Sequence, residues 1–268
     1  MTLIVIGSTA MAQTVMDVDG DGVLPGSDTP AQVPQQGLGE GTAATLLGVG
    51  WDLCPVGTID TDTGAWTFLG NAGFDGCNSL ARNAAGVFYT VGDPGVGQAL
   101  VTIDPGTGAG TQVALLNPEL NVRALAFSPS GVLYAVGDAG PSDELWTIDT
   151  ATGNGTLVGG MGFDAVQAMA FDFLDGTLYA TDNNLGLLTV DPATGTATDV
   201  NGSVGGNGDI QTITVLPSGE IFGIRNDLFT IDPVTGVYTL VATGGYPDLR
   251  GADFFGPIPV ELMYLTVE

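Results

Sequence analysis

Between residues 45 and 255 the chain sets short apolar stretches between turn-forming clusters of Gly, Pro, Asp and Thr. ALAFSPSGVLYAVGD (124–138) shows the plan: an apolar run, a glycine-bearing turn, then a second run rich in β-branched and aromatic residues. Such runs bounded by turn residues predict strands. SLARNAAGVFYTVGD (79–93), AMAFDFLDGTLYATDN (168–183) and TITVLPSGEIFGIRN (212–226) follow the same plan. A third run ends in a shared motif: VGTIDTDTG (56–64), LVTIDPGTG (100–108), LWTIDTATG (145–153), LLTVDPATG (187–195) and LFTIDPVTG (228–236). The motif aspartates Asp60, Asp104, Asp149, Asp191 and Asp232 stand 44, 45, 42 and 41 residues apart. A period of about 40–50 residues in a strand-rich chain predicts a propeller in which each repeat is one four-stranded blade.

Each repeat divides into an inner strand, a second strand, a third that ends in the Asp motif, and an outer strand from the TG-x-x-T-x-V run. In the D-P-x-T-G turn, proline presets φ, Asp and Thr bond local backbone, and glycine supplies a positive φ. The repeated Asp and Thr residues therefore read as turn chemistry rather than catalysis. The first repeat lacks an inner strand, and LRGADFF (249–255) resembles an inner strand with nothing after it. These gaps fit each other. The prediction is an all-β, five-bladed propeller over 43–256, closed by the C-terminal strand in the first blade, which removes open sheet edges. Residues 1–12 read as the remnant of a secretory signal, with Ala10-Met11-Ala12 as a small-x-small cleavage site. Residues 13–42 read as an acidic segment and linker, and 257–268 as a C-terminal tail.

Composition narrows the partners. Four arginines face 30 acidic residues, lysine and histidine are absent, and the net charge is −26. So acidic a chain is repelled by phosphate backbones and anionic membranes, which argues against nucleic acid and against membrane insertion. Without histidine, Ser–His triads and His-ligated metals are excluded. A secreted or cell-surface protein suits a disulfide between its two cysteines, Cys54 and Cys77, in loops on one face of adjacent blades.

Two constellations carry candidate chemistry. DVDGDGVLPGSD (17–28) places Asp17, Asp19, Asp21, Val23 and Asp28 at the ligand positions of an EF-hand-type calcium loop, with Gly22 at the sharp turn. Position 12 is Asp rather than Glu, and Pro25 and Gly26 oppose a second helix, so an acidic spacer is the alternative. The second constellation emerges from aligned repeats. Asn78, Arg123, Gln167, Gln211 and Arg250 fall at the start of each inner strand, around one mouth of the channel. Aspartates of neighbouring loops, among them Asp52, Asp93, Asp138, Asp182, Asp227 and Asp248, fall on the same face. A concave site with convergent polar groups is a candidate binding site; the alternative is that these residues only satisfy strand ends. Trp66 and Trp146 read as packing residues and Trp51 as a loop residue, while Tyr89, Tyr134 and Tyr179 share a position that packs between blades.

The blades resemble those of secreted bacterial β-propellers built from L-Y/F-x-I-D-x-x-T-G repeats, over residues 43–255. That resemblance implies an extracellular location and a binding or display role. The reading is a non-catalytic extracellular binding propeller, calcium-dependent and glycan-binding. One alternative is a glycan-active hydrolase or lyase with carboxylates in the channel. Another is a structural subunit self-associating through PVELMYLTVE in the tail.

Overall fold

The structure is a computed structural model and describes residues 44–138, 142–208 and 210–256. The calcium-loop residues Asp17, Asp19, Asp21, Val23 and Asp28, the signal-like start and the tail lie outside the described residues. Among the described residues twenty strands form five four-stranded antiparallel sheets. The first blade holds β1 (Thr45–Gly50), β2 (Pro55–Asp60) and β3 (Trp66–Asn71). The second holds β4 (Asp75–Arg82), β5 (Phe88–Asp93), β6 (Ala99–Ile103) and β7 (Gly110–Leu115). The third runs β8 (Ala124–Phe127), β9 (Leu133–Gly137), β10 (Glu144–Ile148) and β11 (Gly155–Gly160). The fourth runs β12 (Val166–Phe171), β13 (Leu178–Asp182), β14 (Gly186–Val190) and β15 (Ala197–Asp199). The fifth runs β16 (Ile210–Val215), β17 (Ile221–Arg225), β18 (Leu228–Ile231) and β19 (Tyr238–Ala242).

The last strand, β20 (Leu249–Phe254), completes the first sheet in the order β20-β1-β2-β3. Leu46 pairs with Phe254, Gly48 with Ala252 and Gly50 with Leu249. The expected five-bladed ring with terminal closure is therefore the observed one. The closure does not remove every edge: the outer strands β3, β7, β11, β15 and β19 each pair on one side only. They are three to six residues long, the short-edge solution of propellers.

The Asp motifs do what their chemistry predicts. Asp104 Oδ1 accepts from the Gly106 N–H at 2.9 Å, Oδ2 accepts from the Thr107 hydroxyl at 2.8 Å, and Gly108 sits at φ 74°. Asp60, Asp149, Asp191 and Asp232 accept from the same turn positions. In Asp104 and Asp191 these bonds, led by the backbone N–H two residues on, hold the carboxyl below its ordinary range. Each turn returns the chain directly into the outer strand.

The core lies between blades rather than within them. Five apolar clusters each join two neighbouring sheets, such as Leu145 and Val136 of the third blade with Met169 and Leu188 of the fourth. Tyr89 stacks on Phe127 of the next blade with centroids 5.3 Å apart, and Tyr134 on Phe171 at 5.5 Å. Trp66 and Trp146 pack in such clusters, whereas Trp51 is 37% exposed. Cys54 and Cys77 are disulfide-bonded, with Cα atoms 5.2 Å apart. The bond ties the residue before β2 to the inner strand of the second blade, and a loop of this size stabilises by roughly 3 kcal/mol in the chain-entropy model.

Around the channel the closing strand runs against the backbone of β4. A Cβ at Gly251 would stand 2.2 Å from the Ser79 carbonyl carbon, so the two chains approach as only glycine permits. Ser79 itself has φ 62°. Gly251→Val is expected to destabilise the ring by roughly 3 kcal/mol, the upper range for overpacking, read as a lowered midpoint in urea unfolding.

A second expectation concerns pH. Asp253 of β20 accepts from the Arg82 N–H at 2.6 Å and from the Thr214 hydroxyl at 3.2 Å, joining three blades. Burial pushes its pKa up to about 6, from an ordinary value of 3.8. The folded state therefore holds this proton more tightly than the unfolded chain. Its stabilisation is full below pH ~3.8 and lost as pH rises through about 6. The turn aspartates act oppositely, losing their contribution as pH falls below their ordinary range. Between pH 7 and 5 the melting temperature of the wild type is expected to rise relative to that of Asp253→Asn. Parallel melting curves would exclude the assignment.

Candidate functional site

Four of the predicted mouth residues lie at inner-strand starts and Asn78 is the fourth residue of β4; the strands place them by irregularities in their pairing. In β12 the register steps from Val166 opposite Asp182 to Ala168 opposite Thr181, leaving Gln167 as an extra residue. Gln211 is skipped in the same way between Ile210 and Thr212, and Arg250 between Leu249 and Gly251. Arg123 precedes β8 and its N–H bonds the Val136 carbonyl, opposite the pairing of Ala124. Asn78 lies between two register shifts in β4. A bulge of this kind bends the strand and re-aims the side chain.

What these side chains touch differs from blade to blade. The Asn78 amide donates to the Val122 carbonyl at 3.3 Å, and Arg123 Nε donates to the Val166 carbonyl at 3.0 Å. Arg250 Nη1 donates to Gln211 Oε1 at 3.0 Å, and Gln211 Nε2 donates to Asn183 Oδ1 at 3.4 Å. Each of these contacts crosses to a neighbouring blade. Gln167 is half-buried and its side chain makes no hydrogen bond among the described residues. The satisfaction of strand ends thus accounts for much of Asn78 and Arg123, less of Gln211 and Arg250, and none of Gln167.

The arginines are paired with the loop aspartates. Arg123 is 15% exposed and bridges Asp138 at 2.6 Å and Asp143, the latter 2% exposed. Asp248 takes Arg225 at 2.9 Å on one oxygen and Arg250 at 3.1 Å on the other. Those two arginines draw the Asp248 carboxyl below its ordinary range, against the opposing effect of burial, the largest single influence on it. The Arg250 guanidinium also lies over the Trp51 ring, 5.2 Å from its centroid. Asp93 and Asp182 are occupied in loop turns, accepting from Gly95 at 2.6 Å and Asn184 at 2.8 Å respectively. Asp227 accepts from Gly244 at 2.7 Å.

Sequence reasoning missed Asp143, Gln98 and Asn183. Gln98 stands just before β6 and Asp143 just before β10, the same repeat position as Cys54 before β2. Gln98 Oε1 accepts the Val122 N–H and Asp143 Oδ2 the Val166 N–H, both at 2.7 Å. Cys54 bonds Cys77, the counterpart of Val122 and Val166. Aligning this position across repeats would have exposed the series.

Comparisons with known proteins bear on the fold. No family model matches the chain. No curated protein matches it. Among solved structures it is similar to a structural-genomics protein of unknown function from Bacteroides thetaiotaomicron VPI-5482, with TM-score 0.54 and 20% identity, covering 77% of this chain and 56% of that one. TolB from Acinetobacter baumannii gives TM-score 0.52 and 15% identity, with 76% of this chain and 54% of that one covered. A chain of a nidogen/laminin complex gives TM-score 0.55 and 12% identity, covering 80% and 83%. The likeness is one of fold. The chain spans little more than half the length of the first two. Among the described residues no helix is long and apolar enough to cross a membrane, and no group of three or more His, Cys, Asp or Glu is placed to hold a metal ion.

The buried charge pair makes the mouth brittle. Removing one partner of a buried ion pair strands the other charge, at a cost of about 3–5 kcal/mol. Arg123→Met is expected to lower stability on that scale by stranding Asp143. Joint replacement of Arg123 and Asp143 by apolar residues is expected to recover most of the loss, as measured by a double-mutant cycle in urea.

Proposed function

We propose that the protein is a non-catalytic extracellular binding propeller that holds a neutral, hydroxyl-rich glycan at the mouth formed by its inner-strand starts. The observation that carries this reading is the group of Trp51, Arg250 and Gln211, with Gln167 on the neighbouring blade. An indole one-third exposed gives an apolar surface for a sugar ring. Arg250, one-fifth exposed, and the half-buried Gln167 offer hydrogen bonds to hydroxyls, while the buried Gln211, bonded at both ends of its amide, holds Arg250 in place. Both oxygens of Asp248 are already taken by arginines, and the chain as a whole carries −26 charges, so an acidic sugar gains little and meets repulsion. Buried between blades, the Cys54–Cys77 disulfide fits an oxidising compartment, in keeping with the signal-like start. Calcium belongs to the same proposal on sequence grounds alone, at Asp17, Asp19, Asp21, Val23 and Asp28.

A paired-carboxylate hydrolase would need two acids facing one channel space. Of the residues lining the inner channel cavity, Asp253 is the one carboxylate among those described. At the mouth Asp93, Glu119 and Asp138 line one open recess, so the absence of turnover belongs to the proposal itself.

Titration of neutral and acidic oligosaccharides against wild type, Trp51→Ala and Gln167→Ala tests the site. Neutral oligosaccharides are expected to bind, with roughly tenfold loss in each variant. Equal binding by Trp51→Ala, or a preference for acidic glycans, would overturn the proposal. Release of new reducing ends would replace it with the hydrolase.

A further inference from the structure

The opposite end of the channel has a different chemistry. The inner strands finish there at Arg82, Phe127, Phe171, Val215 and Phe254. Phe171 stands four positions on from Gln167 in the strand, about 13 Å along the channel. Two adjoining cavities open at this end, and Arg82, Phe173, Val215 and Asp253 line both. Leu216, Pro217 and Phe254 complete the outer one, while Phe127, Met169 and Phe171 face the inner. Arg82 and Asp253 are the only charged residues on either wall among those described.

Both retain bonding capacity. Asp253 Oδ1 accepts from the Phe254 N–H at 2.7 Å and from the Thr214 hydroxyl, whereas Oδ2 accepts from the Arg82 N–H alone. Arg82 Nη1 donates to the Gly256 carbonyl at 2.6 Å, and its guanidinium lies 5.6 Å from the Phe88 ring centroid. Its Nη2 makes no hydrogen bond among the described residues.

We propose that this cavity binds a small zwitterion with an apolar body, of the class of a free hydrophobic α-amino acid. The carboxylate meets Arg82, the ammonium meets Asp253 Oδ2, and the side chain packs between Phe173, Leu216 and Phe254. The argument is one of elimination by charge. A ligand with a single charge satisfies one wall group and sets a like charge against the other in a desolvated space. A wholly apolar ligand covers both polar groups and pairs neither. A zwitterion pairs both through charge-assisted bonds.

Asp253 also links binding to protons. Its carboxyl titrates near 6, and Arg82 is the one charged group acting on it; β16 contributes only the Thr214 hydroxyl. Asp172, at the same end, accepts from the Leu174 N–H and interacts with Asp175 instead. An arriving ammonium favours the carboxylate, so binding near pH 6 releases a proton, and affinity falls as pH drops further.

Calorimetry with L-phenylalanine and L-leucine tests the site, with 3-phenylpropionate and phenethylamine as single-charge analogues. The amino acids are expected to bind at pH 7, the analogues roughly tenfold more weakly or worse. At pH 6, heats in buffers of different ionisation enthalpy are expected to report proton release. Leu216→Trp, which fills the outer cavity, and Arg82→Met are expected to abolish binding. Trp51→Ala, at the other mouth, is expected to bind amino acids as the wild type does, so failure here and failure of the glycan site are separable. Absence of heat with both amino acids at millimolar concentration would overturn the proposal. So would equal binding of either analogue, or undiminished binding by Leu216→Trp that retains its strand circular dichroism.

Discussion

The ring depends on how each blade is tied to the next at the start of its inner strand. Apolar packing between sheets holds blades face to face, but it is non-directional and does not fix their rotation. Directional ties at one end supply that constraint. They come from one repeat position, the residue before the third strand, in three chemical forms: Cys54 to Cys77, Gln98 to Val122 and Asp143 to Val166. The covalent tie is worth roughly 3 kcal/mol by loop closure. A neutral hydrogen bond contributes a net of about 1 kcal/mol, and one to a charged group about 1.5–3 kcal/mol. The fourth and fifth blades carry Leu185 and Asp227 at this position, and Asp227 turns to Gly244 of its own blade. Between the fifth and first blades the ties shift to the inner strands themselves: Arg250 to Gln211, the Ala252 N–H to the Thr212 hydroxyl, and Thr214 to Asp253; Gln211 in turn bonds Asn183 of the fourth blade.

The same constraint explains the bulges. Inner strands lie side by side around the channel without pairing with one another, so some of their N–H groups need partners elsewhere. Ser79 Oγ accepts the Leu125 N–H at 2.6 Å, and Thr212 Oγ1 accepts that of Ala252 at 2.9 Å, at equivalent positions in two blade pairs. Bringing these hydroxyls close requires small residues, of which Gly251 against Ser79 is the extreme case. One residue further back, Gln167, Gln211 and Arg250 are displaced from the ladder. The mouth ring is thus a by-product of closing the channel, and the binding proposal rests on what the ring leaves unused.

The sequence disclosed what recurs. The Asp motifs, the missing inner strand of the first repeat and the orphan LRGADFF run determine five blades and their closure, because each is a local pattern with a local mechanism. The cysteine pairing followed from placing two loops on one face. The five mouth positions were legible because repeats align. Their partners were not, since Arg123 meets Asp143 and Gln211 meets Asn183 only through the packing of separate blades. Asp253 and Arg82 were invisible for a sharper reason. They have no counterparts in the other repeats, and LRGADFF reads as an ordinary strand until it is set between β4 and β16.

The two ends of the channel now divide the charge of the protein in different ways. At the strand starts, three arginines are drawn to Asp138, Asp143 and Asp248, and the surplus of acids remains in solvated loops. At the strand ends, one arginine and one aspartate face a largely apolar space. A desolvated carboxylate is costly, which is why Asp253 binds its proton more tightly than a surface aspartate. A hydrophobic residue there would pack the ends of β4, β16 and β20 without that penalty. The aspartate nonetheless binds the Arg82 backbone and Thr214 at once, a bridge that no apolar side chain reproduces. Its structural role accounts for three accepted hydrogen bonds. The remaining acceptor site on Oδ2 lies on a cavity wall beside an arginine, and it is this residual capacity that packing alone leaves without a purpose.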